Sequence, residues 1–482
     1  MITALLLGCV DPGGLADSGS NQAEWGETSP LEGCDAERVF WGSLTLNGDD
    51  LDAQLSALTE EFDAISGLLF LTQSTATNFD GARGLRCVGG GLYISYNPDL
   101  TSLSGLDDVE FVGGSVDITG NPRLPDLAGL GALRTIGSSL HIKGNGGMLS
   151  TRGMDSLSHV ESVELTEIPN LVAVEGFSSL ETVATLTING MPLLTDLSGF
   201  ASLREVDSFS VTNDISLTSL SGLSGLESVG SLSLSTLPAL GELGPHPNLT
   251  TLTTLQIVDV GLPNLVGLES LNALASLSLQ SLPELVSLDG LSGLRSLGYF
   301  SGWRLPQLSS LSGIAAANGL AYVTLGYADE LTSLEGMPAV NPEEDFTFRL
   351  LSCPKVGDLS ALTGVRRFDS LYLHDLAGLT SLHGLESAET AGDVTITTNP
   401  LLASLDGMGP LTSVGMEEPN ADSNVEIEDN PLLTSVAGWS ALREIGGSLS
   451  VTGNTSLAAV EAEAWAAGIS VGANTTVKEN GE

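Results

Sequence analysis

A unit of about 23 residues recurs along almost the whole chain, and this period constrains the fold more than any other feature. Leu92 and Ile94 are followed by Asn97 and Pro98, Val116 and Ile118 by Asn121 and Pro122, and Leu140 and Ile142 by Asn145. Much further on, Val394 and Ile396 precede Asn399 and Pro400, and Val425 and Ile427 precede Asn430 and Pro431. A unit this short cannot bury its apolar face alone, so it must stack on the copies before and after it. The chain of 482 residues therefore grows by adding coils to one continuous core. The roughly three globular domains that its length would suggest do not follow.

Counting the Asn-Pro corner or its substitute gives sixteen coils, from Asn97 to Asn454, and most steps are 23 or 24 residues. The substitutes (Ile168, Met191, Asp214, Leu237, Leu262, Leu282, Leu305, Ala328, Cys353 and Leu376) fill the middle of the array. Residues five and three before a corner are apolar, with a mostly polar residue between, as at Leu186 and Ile188 or Phe209 and Val211. Such alternation predicts a short, half-buried strand, and stacked copies pair these strands in parallel. Gly105 and Gly222, each in a Ser-Gly-Leu step, are expected at corners with positive φ. The corner asparagines are expected to cap nearby turn groups, as in an Asx-turn.

Two imperfect coils precede the array, at Ser43–Leu46 and Leu68–Leu71, and extra residues near Gly415–Ser423 and Met337–Asp345 predict loops. The raw ends of such a sheet need covers. Cys34–Leu46 is read as the first cover; a short helix over Leu457–Ala467 and a last strand over Ile469–Val477 form the second. The expected fold is an all-β solenoid of 16–18 coils over residues 34–455, with a cap over 456–482.

Sixteen Lys and Arg stand against 60 Asp and Glu, a formal charge of −44. Such a field repels nucleic acid and anionic headgroups and favours basic partners, so no nucleic-acid partner is expected. A strict period with 42% hydrophobic residues argues against a disordered acidic chain. No run of about 18 apolar residues is present, so no membrane-spanning helix is expected. At the start, Cys9 closes Leu6-Leu7-Gly8-Cys9 after the apolar Ile2–Leu7. This resembles the lipobox of bacterial lipoproteins, in which the cysteine becomes the lipidated first residue. Residues 1–9 then read as a signal remnant, without the Lys or Arg that usually precedes the apolar run, and 10–33 as a flexible acidic tether. The resemblance implies lipid attachment through Cys9 in the bacterial envelope, with Val10 leaning towards the outer membrane and cell surface. That location would allow a Cys34–Cys87 disulfide, a pairing the sequence leaves open. Cys353 reads as a small buried corner residue.

With Val88-Gly-Gly90, Val112-Gly-Gly114, Ile136-Gly137 and Ile445-Gly-Gly447 leading into the strands, the unit resembles the receptor L domain. That module binds ligands in insulin- and EGF-type receptors, and bacterial surface lipoproteins carry long arrays of it. The resemblance covers about residues 34–460. It implies a right-handed parallel β-helix, related to leucine-rich repeats, that binds proteins or other ligands without catalysis. Receptor L domains have far fewer coils, so receptor ligands do not carry over. An internalin-like leucine-rich repeat, with a 3₁₀ turn on its convex side, fits Ser219–Leu223 equally well.

Chemistry is sparse. The five histidines (His141, His159, His246, His374 and His383) form no metal or nucleophile motif, and the acidic pairs lack calcium-loop spacing. No catalytic residue, metal or cofactor is expected, and weak calcium binding by an acidic loop stays open. Outward columns, four and two residues before each corner, are mostly small and polar. One stretch breaks this pattern: Ser301, Thr324, Arg349 and Tyr372 in one column, Trp303, Gly326, Leu351 and His374 in the other. Gly326 is expected to leave a notch with apolar walls. Exposed Trp, Tyr and Arg dominate binding hot spots, so Trp303, Arg349, Leu351, Tyr372 and His374 form the candidate ligand site; the bland alternative is cross-strand packing that stiffens the sheet. The expectation is a monomeric, non-enzymatic, lipid-anchored surface protein that binds a protein or glycan. The alternatives are an envelope spacer without a specific ligand and an internalin-like adhesin.

Overall fold

The computed structural model describes residues 31–416 and 423–481. Cys9, residues 10–30 of the expected tether and the 417–422 part of the inserted loop lie outside the described residues. The chain divides into two compact units, Met1–Gly230 with Ser235–Ala239, and Ser231–Leu234 with Leu240–Glu482.

In the first unit eight strands pair in parallel, each with the next: Leu44–Asn47, Leu69–Thr72, Leu92–Ser95, Val116–Thr119, Ser139–Lys143, Ser162–Thr166, Thr182–Asn189 and Glu205–Thr212. In the second unit ten do the same, from Thr251–Val260 and Ala273–Gln280 to Leu449–Thr452 and Thr475–Lys478. Strand Ser228–Leu237 has residues in both units. Among the described residues this makes nineteen rungs: the sixteen with a corner, the two imperfect coils and the closing strand. The chain is an all-β, leucine-rich-repeat-like parallel solenoid.

Each rung alternates as its sequence does. Val116 and Ile118 are fully buried, and Asp117 and Thr119 face outward. Further round the coil Leu100, Leu103, Leu106, Val109 and Val112 are all fully buried, each such leucine contributing about 2 kcal/mol of burial. The Val-Gly steps form a second parallel sheet of two-residue strands, seen at Cys87–Val88, Phe111–Val112 and Thr135–Ile136. Between the sheets lie 3₁₀ turns such as Ser198–Phe200 and Ser312–Ile314. Gly105 does sit at positive φ, 101°. Gly222 does not: it lies inside the 3₁₀ turn Ser221–Leu223, where a Cβ would come within 2.6 Å of the Leu197 carbonyl carbon. Its smallness serves close approach of neighbouring coils.

A second positive-φ column lies at the ends of the main-sheet strands, where glycines such as Gly120 and Gly144 alternate with other residue types. Of the fourteen non-glycine residues with positive φ, twelve, Tyr96, Arg304 and Tyr327 among them, stand just after a main-sheet strand, and Thr236 and Asp259 stand one residue before the end of theirs. Each such conformation costs about 1 kcal/mol. The hydrogen bonds that continue there offset it: Tyr96 N–H donates to Thr119 O at 3.0 Å and Tyr327 N–H to Leu351 O at 3.0 Å.

The corner asparagines bond within the turn, as Asn430 Nδ2 does to Glu428 O at 3.0 Å, and also link one coil to the next. Asn121 Oδ1 accepts the Asn97 N–H at 3.1 Å, and Asn121 Nδ2 donates to Ile94 O at 2.9 Å. Asn145 repeats this on Asn121 and Ile118, and Asn430, Asn454 and Asn480 form a like ladder near the other end. Leaving any of these buried groups unpaired would cost about 1–3 kcal/mol. Middle coils solve the problem differently. Leu282 N–H donates to Arg304 O and Leu305 N–H to Tyr327 O, so an apolar corner is tolerated. Asp214 takes an asparagine's place: its Oδ1 accepts the Met191 N–H at 2.7 Å, but its buried Oδ2 has no hydrogen-bond partner.

Helix Leu51–Glu61, not expected from the sequence, fills the first coil. It buries Leu51, Leu55 and Leu58 and packs on the turn Asp80–Ala82, where Asp52 Oδ1 accepts the Gly81 N–H at 2.6 Å. Part of the segment read as a first cover, Leu44–Leu46, is the first rung itself. The cap helix spans Ala459–Ala466, followed by Ser470–Val471 and Thr475–Lys478. Cys34 and Cys87 form a disulfide, with 6.1 Å between their Cα atoms. Cys353 is a buried free thiol that burial pushes up to about 11.

Candidate binding face of the second unit

Strands Ser296–Trp303, Tyr322–Gly326, Phe346–Leu351 and Arg367–His374 are consecutive rungs. Their register aligns Ser301, Thr324, Arg349 and Tyr372 in one outward column, and Trp303, Gly326, Leu351 and His374 in the next. The expected notch at Gly326 is filled. A Cβ there would lie 2.4 Å from the Trp303 ring, so the indole covers the glycine. An indole is large enough to cover the neighbouring rung when that rung has no side chain, and burying apolar surface favours the move. Tyr327 meets the indole edge-on, with ring centroids 4.9 Å apart. The Arg349 guanidinium carbon lies 5.8 Å from the centre of the Tyr372 ring, in cation–π range. Tyr372 neighbours His374, whose Nδ1 is 2.7 Å from Thr397 Oγ1. All five expected residues thus share one face.

Two further features escaped the sequence reading. Tyr299 and Tyr322 pair across strands with stacked rings 4.4 Å apart, in a third outward column. Tyr327 and Arg304 occupy the positive-φ column. Both pairs are 23 residues apart, a spacing that would have revealed them had every position of the unit been followed. Burial first, and then the neighbouring Tyr322 hydroxyl, raises the Tyr299 pKa; burial, opposed by Arg349, raises that of Tyr372.

The carboxylates here are occupied. Arg367 pairs with Asp345 at 2.9 Å, Thr347 Oγ1 donates to Asp369 at 2.8 Å, and Ser352 Oγ donates to Asp375 at 2.8 Å. Ser370 Oγ donates to Asp393, whose pKa burial raises against that bond and the Arg349 charge. Elsewhere, a depression of about 340 Å³ lies among the turns Ser333–Met337 and Asp358–Ala361 rather than on the strands. His141 lies between Asp117, at 3.0 Å, and Glu164, at 3.7 Å, as a cross-strand trio on the first unit's face. Among the described residues no group of three or more His, Cys, Asp and Glu could hold a metal ion, and no helix is long and apolar enough to cross a membrane.

No family model matches the chain, and no curated protein does. A solved structure that is similar, the crystal structure of a TLR13–ssRNA13 complex, aligns at 14% identity with a TM-score of 0.40. The alignment covers 88% of this chain and 66% of that one, so the chain spans a little under two thirds of that protein. The RNA named there belongs to that complex.

Proposed function

We propose that this is a non-enzymatic protein of the bacterial cell surface, held by lipid on Cys9, whose second-unit sheet face binds a protein or glycan partner. The observation that carries the reading is the concentration of rings on that face. Four of the chain's six tyrosines, with Trp303 and Arg349, stand on four successive rungs of a sheet otherwise faced largely with Ser and Thr. Aromatic and arginine side chains of this kind supply much of the energy of binding surfaces. The Cys34–Cys87 disulfide suits an oxidising location outside the cytosol.

The test compares wild type with the double variant Trp303→Ala, Arg349→Ala in capture from an envelope extract. The variant is expected to keep its unfolding midpoint and lose the partner that wild type retains. Equal capture by both would leave the face without a role in binding. The anchor has its own test: Cys9→Ser is expected to move the protein from the membrane fraction to the soluble one. Continued membrane retention would count against lipidation.

A further inference from the structure

We infer that the ligand of this face is a glycan carrying uronic-acid carboxylates, held by Arg349 and the rings around it; this rests on the reading of the face as a binding surface. Charge is the first argument. The chain as a whole carries −44, yet over residues 296–304, 322–327, 345–352 and 367–375 Arg304, Arg349 and Arg367 balance Asp345, Asp369 and Asp375. The acidic excess of the chain is absent from these four rungs and returns on the next two, with Asp393 and Glu426. The three aspartates already have donors from Arg367, Thr347 and Ser352. Arg349, which is exposed, lies over Tyr372; its charge reaches the half-buried Asp393 carboxyl, but it makes no direct ion pair among the described residues. A guanidinium in that position can grip an incoming carboxylate with two parallel N–H bonds.

The surroundings suit a sugar. Outside the rings the columns return to hydroxyls at Ser276, Ser278, Ser301, Thr324 and Thr395. Hydroxyls repeated every rung, about 4.8 Å apart, suit a ligand that presents hydroxyls along its own length. Trp303, fixed across Gly326 and braced by Tyr327, offers a rigid apolar surface for the C–H side of a pyranose ring. The overall negative charge argues for at most one singly charged carboxylate per sugar and against densely phosphorylated or sulfated chains.

The experiment uses the full chain in calorimetry at low salt. The probes are hyaluronan hexasaccharide, oligogalacturonate and oligoalginate, each beside its carboxyl-reduced counterpart. At least one uronate is expected to bind, and to bind about ten- to a hundredfold more weakly after carboxyl reduction or in Arg349→Gln. Arg349→Lys should recover part of the loss, and the unfolding midpoints of the variants should match wild type. Failure of all three uronates, or equal binding of the reduced sugars, overturns the inference. Partner capture sensitive to Trp303 and Arg349 together with failure of every uronate would remove the glycan and leave the binding face standing. Loss of both would remove the two together.

Discussion

Asp214→Asn is expected to unfold at a higher urea concentration than wild type at pH 8, by up to about 4 kcal/mol. The carboxyl is fully buried in a position where other coils use asparagine, and burial raises its pKa from 3.8 to about 7, against hydrogen bonds from the Met191 and Thr212 backbone. Between about pH 4 and pH 7 the folded chain keeps a proton that the unfolded chain gives up. The contribution of this group to stability is therefore complete below that window, falls as pH rises through it, and is lost above it. A protonated carboxyl resembles an amide, with one oxygen accepting and the other donating. By analogy with Asn121 and Ile94, an asparagine at this corner would donate to the Ile188 carbonyl at every pH. The measurement is the midpoint difference between the two proteins at pH 4.5, 6 and 8, which cancels the background from the other carboxylates. A difference that does not grow with pH would mean that Asp214 is ionised in the folded chain.

Reduction of the Cys34–Cys87 bond is expected to cost about 4 kcal/mol in the chain-entropy picture, because the bond closes a loop across 53 residues. The loss should be local. A solenoid is stabilised by neighbour contacts, so the coils up to Val88 should loosen while those beyond Val116 hold. Hydrogen exchange with and without reductant reads this directly. The amides of Leu44–Asn47, Leu69–Thr72 and helix Leu51–Glu61 should exchange faster, and those of Ser162–Thr166 should be unchanged. Identical exchange in both conditions would show that packing alone holds the first coils.

The repeat made the strands, their parallel pairing and their inward faces legible, because alternation at one period has few physical solutions. Residues that follow another rule were not legible. Helix Leu51–Glu61 has leucines at helical spacing, but it stands in a coil where the strand period set the reading. The positive-φ column has no common residue type, since it holds Tyr, Arg, Thr and Asp alike; inter-rung hydrogen bonds impose that conformation. The two columns of the candidate face were visible from counting alone. The closed notch was not, because the direction in which Trp303 lies depends on the absence of a side chain on the next rung. Asp214 looked like another corner substitute until the asparagine ladder gave that position a donor and an acceptor to satisfy.

The two ways of closing a corner bear on how such a chain changes length over generations. Where main chain bonds to main chain, as at Leu282 and Leu305, a corner asks nothing of the side chain on the adjoining copy. An in-frame duplication or loss of one such copy leaves every donor matched. Within the run from Asn97 to Asn145, a newcomer without its own asparagine would strand the groups on both sides. Recombination should therefore expand or trim the interior copies freely and leave the asparagine-bearing blocks near each extremity intact.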